Sequence, residues 1–445
     1  MSRRCFLMAR RGKETKQMRR PLGMLIGIFL MSTPLAAPGQ SPYYNNPNEI
    51  VVTLGDEIVD RLPCQRIQLK YDWPWKTHQV GANVGRTRDG TLYASVDRIL
   101  FESKDAGQTW TGWDSGVGTS PPSPGRMIAA FIVLADDSML MARYGGARNV
   151  IEFHRSTDLG RTWAQFSTLS ADPFDQIGDG FLALTQLRDG TLLFPVCRWR
   201  QQPEGKTNRS PQYVFRSTDG GRTWTGGGGR DFWRKPNQAQ AIVDASTPQT
   251  NWPGEGGTFP GCFETHVLEL ADGGLLAALR YSGHPLRWHK DKVSAWGGKD
   301  LPDGLGRLFK HVFAADSRDG GRSWHNLRPL WDAQKKPVLI FGETHGQLVQ
   351  IPDGRIVLVH DYRYPYDQAQ VAAQVSDDGG QTWEPVRYRV SFRYGYPSSI
   401  ALDDGTIITV TGNKPIGGGD RTDNLPYSVQ VIRWRLAETK DQLQD

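Results

Sequence analysis

One eight-residue motif recurs five times along this 445-residue chain, and it constrains the fold more than any other feature. SKDAGQTW (Ser103 to Trp110), STDLGRTW (Ser156 to Trp163), STDGGRTW (Ser217 to Trp224), SRDGGRSW (Ser317 to Trp324) and SDDGGQTW (Ser376 to Trp383) all read Ser-x-Asp-x-Gly-x-Thr/Ser-Trp. Asp accepts hydrogen bonds from backbone N–H groups in a tight turn, Gly supplies φ > 0, and Trp packs between neighbouring sheets. Each copy therefore describes a self-anchoring turn between two strands, and a chain carrying five of them is a repeat protein.

The motif resembles the Asp box, or BNR repeat, of the sialidase (neuraminidase) superfamily, and the resemblance implies an all-β fold, a β-propeller. A second periodic element supports counting: an apolar strand, an Asp-Gly-like turn and another apolar strand. It occurs at Asp89-Gly90, Asp136-Asp137, Asp189-Gly190, Asp272-Gly273, Asp353-Gly354 and Asp404-Gly405. Six hairpins predict a six-bladed propeller with four-stranded antiparallel blades and five Asp boxes. The sixth blade ends near Leu436 without a box, so a strand from Arg66 to Tyr71 is expected to complete it and close the ring. Long insertions at Thr225–Phe263 and Tyr281–Lys310 carry Trp233, Trp252, Trp288 and Trp296, which suits loops roofing a cleft.

The net charge of +6 is concentrated at the start of the chain. Residues 1–40 hold eight Lys/Arg against Glu14 alone, whereas 45 basic residues balance 46 acidic ones in the remainder. That balance gives no footprint for nucleic acid. The apolar run Leu22–Leu35 and the small residues Ala37-Pro38-Gly39 predict a signal peptide over 1–39 and a single mature domain over 40–445, secreted or periplasmic. Ser2 to Met8 resembles a twin-arginine motif; Sec or Tat export, a start at Met18 or Met24, and an uncleaved anchor all stay open. No later stretch is apolar enough for stable membrane insertion. Cys64, Cys197 and Cys262 lack metal-type spacing and are compatible with one disulfide.

Two turns of one blade lie on one face, so the starts of first strands and the ends of second strands share the other. Counting from each turn Asp, Glu264, His345 and Tyr396 stand eight residues before it. Asp97 and Arg280 stand eight after, and Arg363 ten after. At about 3.3 Å per strand residue these groups converge on one rim, about 26 Å from the turns.

Gly261 to Gly273 with Arg280 is similar to the sialidase segment bearing the catalytic Glu and one arginine of the carboxylate clamp. Tyr396-Pro397-Ser398-Ser399 is similar to the segment bearing the catalytic Tyr. The resemblance implies that Tyr396 attacks as a neutral phenol, Glu264 takes its proton, and Arg280 holds a substrate carboxylate. The chain also departs from the pattern. The first clamp arginine is absent from Val80 to Arg86, with Arg126 in a similar position one blade later, and Arg363 stands for the third. The acid/base loop is missing, which leaves Asp97, Asp179, Glu343 or a histidine for that role. A repeated Glu-Thr-His, Glu264-Thr265-His266 and Glu343-Thr344-His345, adds His266, Glu343 and His345 as further acid/base or substrate-binding groups. No HExxH helix marks a zinc site, and no cofactor is expected. The expected partner is a glycan, cleaved by a sialidase-like exo-glycosidase on a terminal acidic sugar. A non-catalytic glycan-binding propeller and a histidine-centred lyase or glycosidase are the alternatives.

Overall fold

The computed structural model describes residues 46–71, 82–117, 128–145, 150–170, 176–177, 183–199, 212–224, 240–243, 262–283, 309–338, 343–362, 370–391, 395–412 and 429–437. The expected signal peptide, Arg126, Asp179, Arg363 and most of both long insertions lie outside them. Among the described residues every regular element is a β-strand. None is a helix long and apolar enough to cross a membrane.

The described residues begin with a hairpin, β1 (Glu49–Leu54) and β2 (Glu57–Leu69), turned at Gly55 with φ +61°. Antiparallel meanders follow. The first contains β3 (Ala82–Arg86), β4 (Leu92–Val96), β5 (Ile99–Ser103) and β6 (Thr111–Asp114). The second contains β7 (Ile128–Val133), β8 (Met139–Tyr144), β9 (Val150–Ser156) and β10 (Ala164–Ser170). In the third, β11 (Gln176–Ile177) and β12 (Thr185–Gln186) both pair with β13 (Leu192–Trp199), which continues to β14 (Gln212–Ser217) and β15 (Gln240–Val243). The fourth is β16 (Cys262–Glu269), β17 (Leu275–Gly283), β18 (Phe309–Ser317) and β19 (His325–Pro329).

The remaining strands are β20 (Glu343–Gln350), β21 (Ile356–Tyr362), β22 (Gln370–Ser376), β23 (Val386–Ser391), β24 (Ser398–Ala401), β25 (Ile407–Gly412) and β26 (Val429–Trp434). They do not form two separate four-stranded sheets. β1 pairs with β23 on one side and with β2 on the other, and β2 continues onto β26. The result is one nine-stranded sheet, β20-β21-β22-β23-β1-β2-β26-β25-β24. The physical reason lies in the length of β2: its first half pairs with β1 from Leu54↔Glu57 to Glu49↔Pro63, and its second half pairs with β26 from Cys64↔Trp434 to Leu69↔Val429. Cys64, at the changeover, carries a free thiol; the side chains of Cys197 and Cys262 lie outside the described residues.

All five motif copies make the same hydrogen bonds. In the second, Gly160 N–H donates to Ser156 Oγ (2.8 Å), Thr162 N–H to Asp158 Oδ1 (2.9 Å) and the Thr162 hydroxyl to Asp158 Oδ2 (2.6 Å). Two consecutive residues in each copy are left-handed, the second always Gly; the first is Ala106, Leu159, Gly220, Gly320 or Gly379. The motif Trp fills the seam to the preceding sheet. Trp224 stacks on Phe153 of β9, ring centroids 4.6 Å apart at 19°, with Phe194 of β13 beside them. Another buried cluster joins Leu92, Ala94 and Phe101 of the first meander to Val410, Val429 and Val431 of the last strands, so the series of sheets returns on itself.

Strand segments 83–86, 131–133, 183–186, 266–268, 347–350 and 398–401 surround a cavity of about 410 Å3. Side chains stitch these inner strands together. Thr185 Oγ1 donates to Val267 O (2.8 Å), Leu348 N–H to His266 Nδ1 (3.2 Å), Gln347 Nε2 to Ser398 Oγ (3.0 Å), and Val84 N–H to the same Ser398 Oγ (3.0 Å). Such cross-links between neighbouring sheets fix the strand ends from which the candidate site is built.

Candidate active site

Two inner strands break their regular pairing just before the residues that line the cavity. The register of β16 against β17 slips between Phe263 and His266, and that of β20 against β21 slips between Thr344 and Gln347. One type of bulge places a residue in left-handed backbone, and that residue is usually Gly. This chain places Glu264 (φ +44°) and His345 (φ +52°) in the two bulges, and Tyr396 (φ +53°) at the matching position ahead of β24. Asp97, in the turn between β4 and β5, is left-handed too, at φ +50°. Four of the nine non-glycine residues with positive φ among the described residues are thus candidate site residues. Left-handed backbone costs such residues on the order of 1–3 kcal/mol each, and it persists where the surroundings over-determine it.

Glu264 and Arg280 face each other across β16 and β17 as a buried ion pair, Nη1 to Oε1 at 2.6 Å, with 6% and 8% of their surfaces exposed. At this separation each cancels most of the other's charge, and removing either would leave an uncompensated buried ion. Tyr396 is buried, and its ring meets His345 edge-on, centroids 5.0 Å apart at 74°. His266 is partly buried and lines the cavity; burial, with the charge of His345 as a lesser cause, pushes its imidazole down to about 3. It is neutral at ordinary pH and uses Nδ1 as an acceptor for Leu348 N–H, which puts the ring proton on Nε2.

Asp97 is buried, and its Oδ1 accepts from Ile128 N–H at 3.0 Å. Burial pushes its carboxyl up, against the opposing pull of that N–H and of Arg98. Glu343 is placed in β20 opposite Tyr362; its side chain lies outside the described residues, as do Arg126 and Arg363. Among the described residues no group of three or more His, Cys, Asp or Glu side chains is placed to hold a metal ion.

Counting from the turns missed Asp361. It is fully buried near the end of β21, and its carboxylate accepts from Gly395 N–H (Oδ1, 3.1 Å) and Tyr396 N–H (Oδ2, 3.1 Å). The signal was present in the sequence, because Asp361 stands eight residues after turn residue Asp353, the register of Asp97 and Arg280.

The BNR/Asp-box repeat profile matches residues 374–385, which contain the whole of the fifth motif copy. A structure of a protein of unknown function from Dyadobacter fermentans superposes with TM-score 0.55 at 16% identity, covering 84% of this chain and 99% of that one. An α-L-arabinofuranosidase of Fusarium graminearum superposes with TM-score 0.54 at 14% identity, covering 84% and 98%. A xyloglucanase from Paenibacillus sp. is 27% identical over 167 residues, 35% of this chain and 16% of that enzyme, so the match spans about a sixth of the relative's length. The chain thus carries a BNR/Asp-box repeat, and its all-β fold is shared with an α-L-arabinofuranosidase.

Proposed function

We propose that the chain is an exo-acting glycoside hydrolase with a tyrosine nucleophile, built on a six-bladed ring in which the nine-stranded sheet supplies two blades joined by β1. The observation carrying this reading is the placing of Glu264, His345 and Tyr396 in left-handed backbone at one repeat position. Non-glycine residues seldom hold such backbone, and functional sites are where the strain is retained.

On this reading Tyr396 attacks the anomeric carbon, its phenolic proton passes to Glu264, and a glycosyl-tyrosine forms that water then hydrolyses. Arg280 keeps Glu264 ionised and ready to accept that proton. Asp97, whose carboxyl burial holds up, is the group best suited to donate a proton to the leaving oxygen. A terminal acidic sugar is the first substrate class, with Arg126 and Arg363 completing the clamp. A neutral pentofuranoside is the second, favoured by the ion pair that already neutralises Arg280, and by the fold shared with an arabinofuranosidase.

The deciding experiment measures release of 4-methylumbelliferone from its sialoside and of p-nitrophenol from its α-L-arabinofuranoside, by the wild type and by Tyr396→Phe. Sialoside turnover that falls at least about a thousandfold in the variant supports the first reading. Arabinofuranoside turnover alone supports the second. Activity that survives in the variant transfers the chemistry to the histidines, and inactivity of the wild type on both substrates removes both sugars and leaves uronate-containing glycans or plain glycan binding.

A further inference from the structure

We infer that Asp361 is a positioning residue: its carboxylate clamps the backbone from which the Tyr396 phenol is presented. The catalytic part of this inference rests on the proposed role of Tyr396, and the clamp itself does not. Asp361 lies near the end of β21, opposite Thr344 of β20 and Val371 of β22, and is fully buried. Its two oxygens divide between successive amides, Gly395 N–H and Tyr396 N–H, each at 3.1 Å. A carboxylate can serve two adjacent donors at once, and such charge-assisted bonds are about twice as strong as neutral ones.

The other side of the same peptide is held as well. Tyr396 O accepts from Ala82 N–H at 3.3 Å, and Gly395 O accepts from Gly412 N–H at 3.0 Å. A Cβ on Gly395 would lie 2.8 Å from Gly412 Cα, so the segment has no room to shift toward β25. Asp361 is in turn anchored, its own carbonyl meeting His360 Nδ1 at 3.0 Å while His360 Nε2 meets Gln374 at 2.6 Å. The left-handed φ of Tyr396 is therefore held from β21, through Asp361, and from the first meander, through Ala82. Asp97 makes the matching contact one sheet boundary elsewhere, where its Oδ1 accepts from Ile128 N–H at the same repeat register. In that instance one oxygen holds one amide of an apolar strand start. At Asp361 both oxygens are engaged, and the residue held is the tyrosine.

The test uses Asp361→Asn, which keeps the shape and leaves one acceptor oxygen for two donors. Amide hydrogen exchange of the segment containing Gly395 and Tyr396 is expected to be as slow as that of the strand cores in the wild type and at least about tenfold faster in the variant. The variant's kcat on the cleaved glycoside is expected to fall about a hundredfold with KM changed less than about threefold, the signature of a misplaced reacting group. Fast exchange at these amides in the wild type overturns the clamp without any variant, so a poorly folding Asp361→Asn does not shield it. Unchanged exchange in the variant overturns it too, and faster exchange with unchanged kcat overturns the positioning role. If the wild type cleaves no glycoside, the reading of Tyr396 fails, and exchange alone then upholds or overturns the clamp.

Discussion

A turn aspartate in this protein does its work as an anion. Hydrogen bonds from the Thr162 hydroxyl, Thr162 N–H and Ser156 hydroxyl hold Asp158 at about 2, below its ordinary 3.8. Asp105, Asp219 and Asp319 are also held at about 2. A depressed carboxylate contributes stability that is present above its unfolded value and lost as pH falls through the folded one. The melting temperature is therefore expected to drop as pH falls from about 4 to about 2, and Asp158→Asn should flatten part of that slope in a thermal scan. Glycine at the fifth residue of each motif copy is equally constrained. Gly380 has φ +82°, and a Cβ there would lie 2.4 Å from Leu276 Cδ2. Gly380→Ala should cost roughly 2–4 kcal/mol in urea unfolding, combining left-handed strain with overpacking. At this scale the sequence was informative about identity and silent about conformation. Spacing from the turns grouped Glu264, His345 and Tyr396, but nothing in the residue types announces left-handed backbone. Asp361 is legible by the same count, but Arg363 two residues later offers the same stretch a more familiar substrate-binding group.

Among the strands, the turns and seams follow from the repeats, whereas the β1–β2 hairpin does not. Six hairpin signals predict separate sheets. Ile50-Val51-Val52 precedes them and has no repeat partner, so periodicity could not reveal that β1 inserts between β23 and β2. One side chain on β2 holds that insertion in place. Arg66 donates from Nε to Pro47 O (2.6 Å), from Nη1 to Val390 O (2.6 Å) and from Nη2 to Glu49 O (3.0 Å). A planar guanidinium reaches three carbonyls that a single ammonium cannot. Arg66→Lys is expected to lower stability by roughly 1–3 kcal/mol in urea unfolding. A loss below about 0.5 kcal/mol would show that the sheet ladder alone holds β1.

Across the whole molecule, the first described strands complete the last sheet, and the buried cluster of Leu92, Phe101, Val410 and Val431 seals the join. A chain beginning at residue 70 would leave β26 with an unpaired edge, and light scattering of such a chain is expected to show self-association, the usual fate of an open edge. The pairing of Cys64 with Trp434 also sets an order of events in time. During synthesis the early hairpin is made long before its partner strand exists, and contacts so distant along the chain form slowly. Until Val429–Trp434 has left the ribosome the nascent protein carries an open seam, and that interval is when it most needs shielding by chaperones.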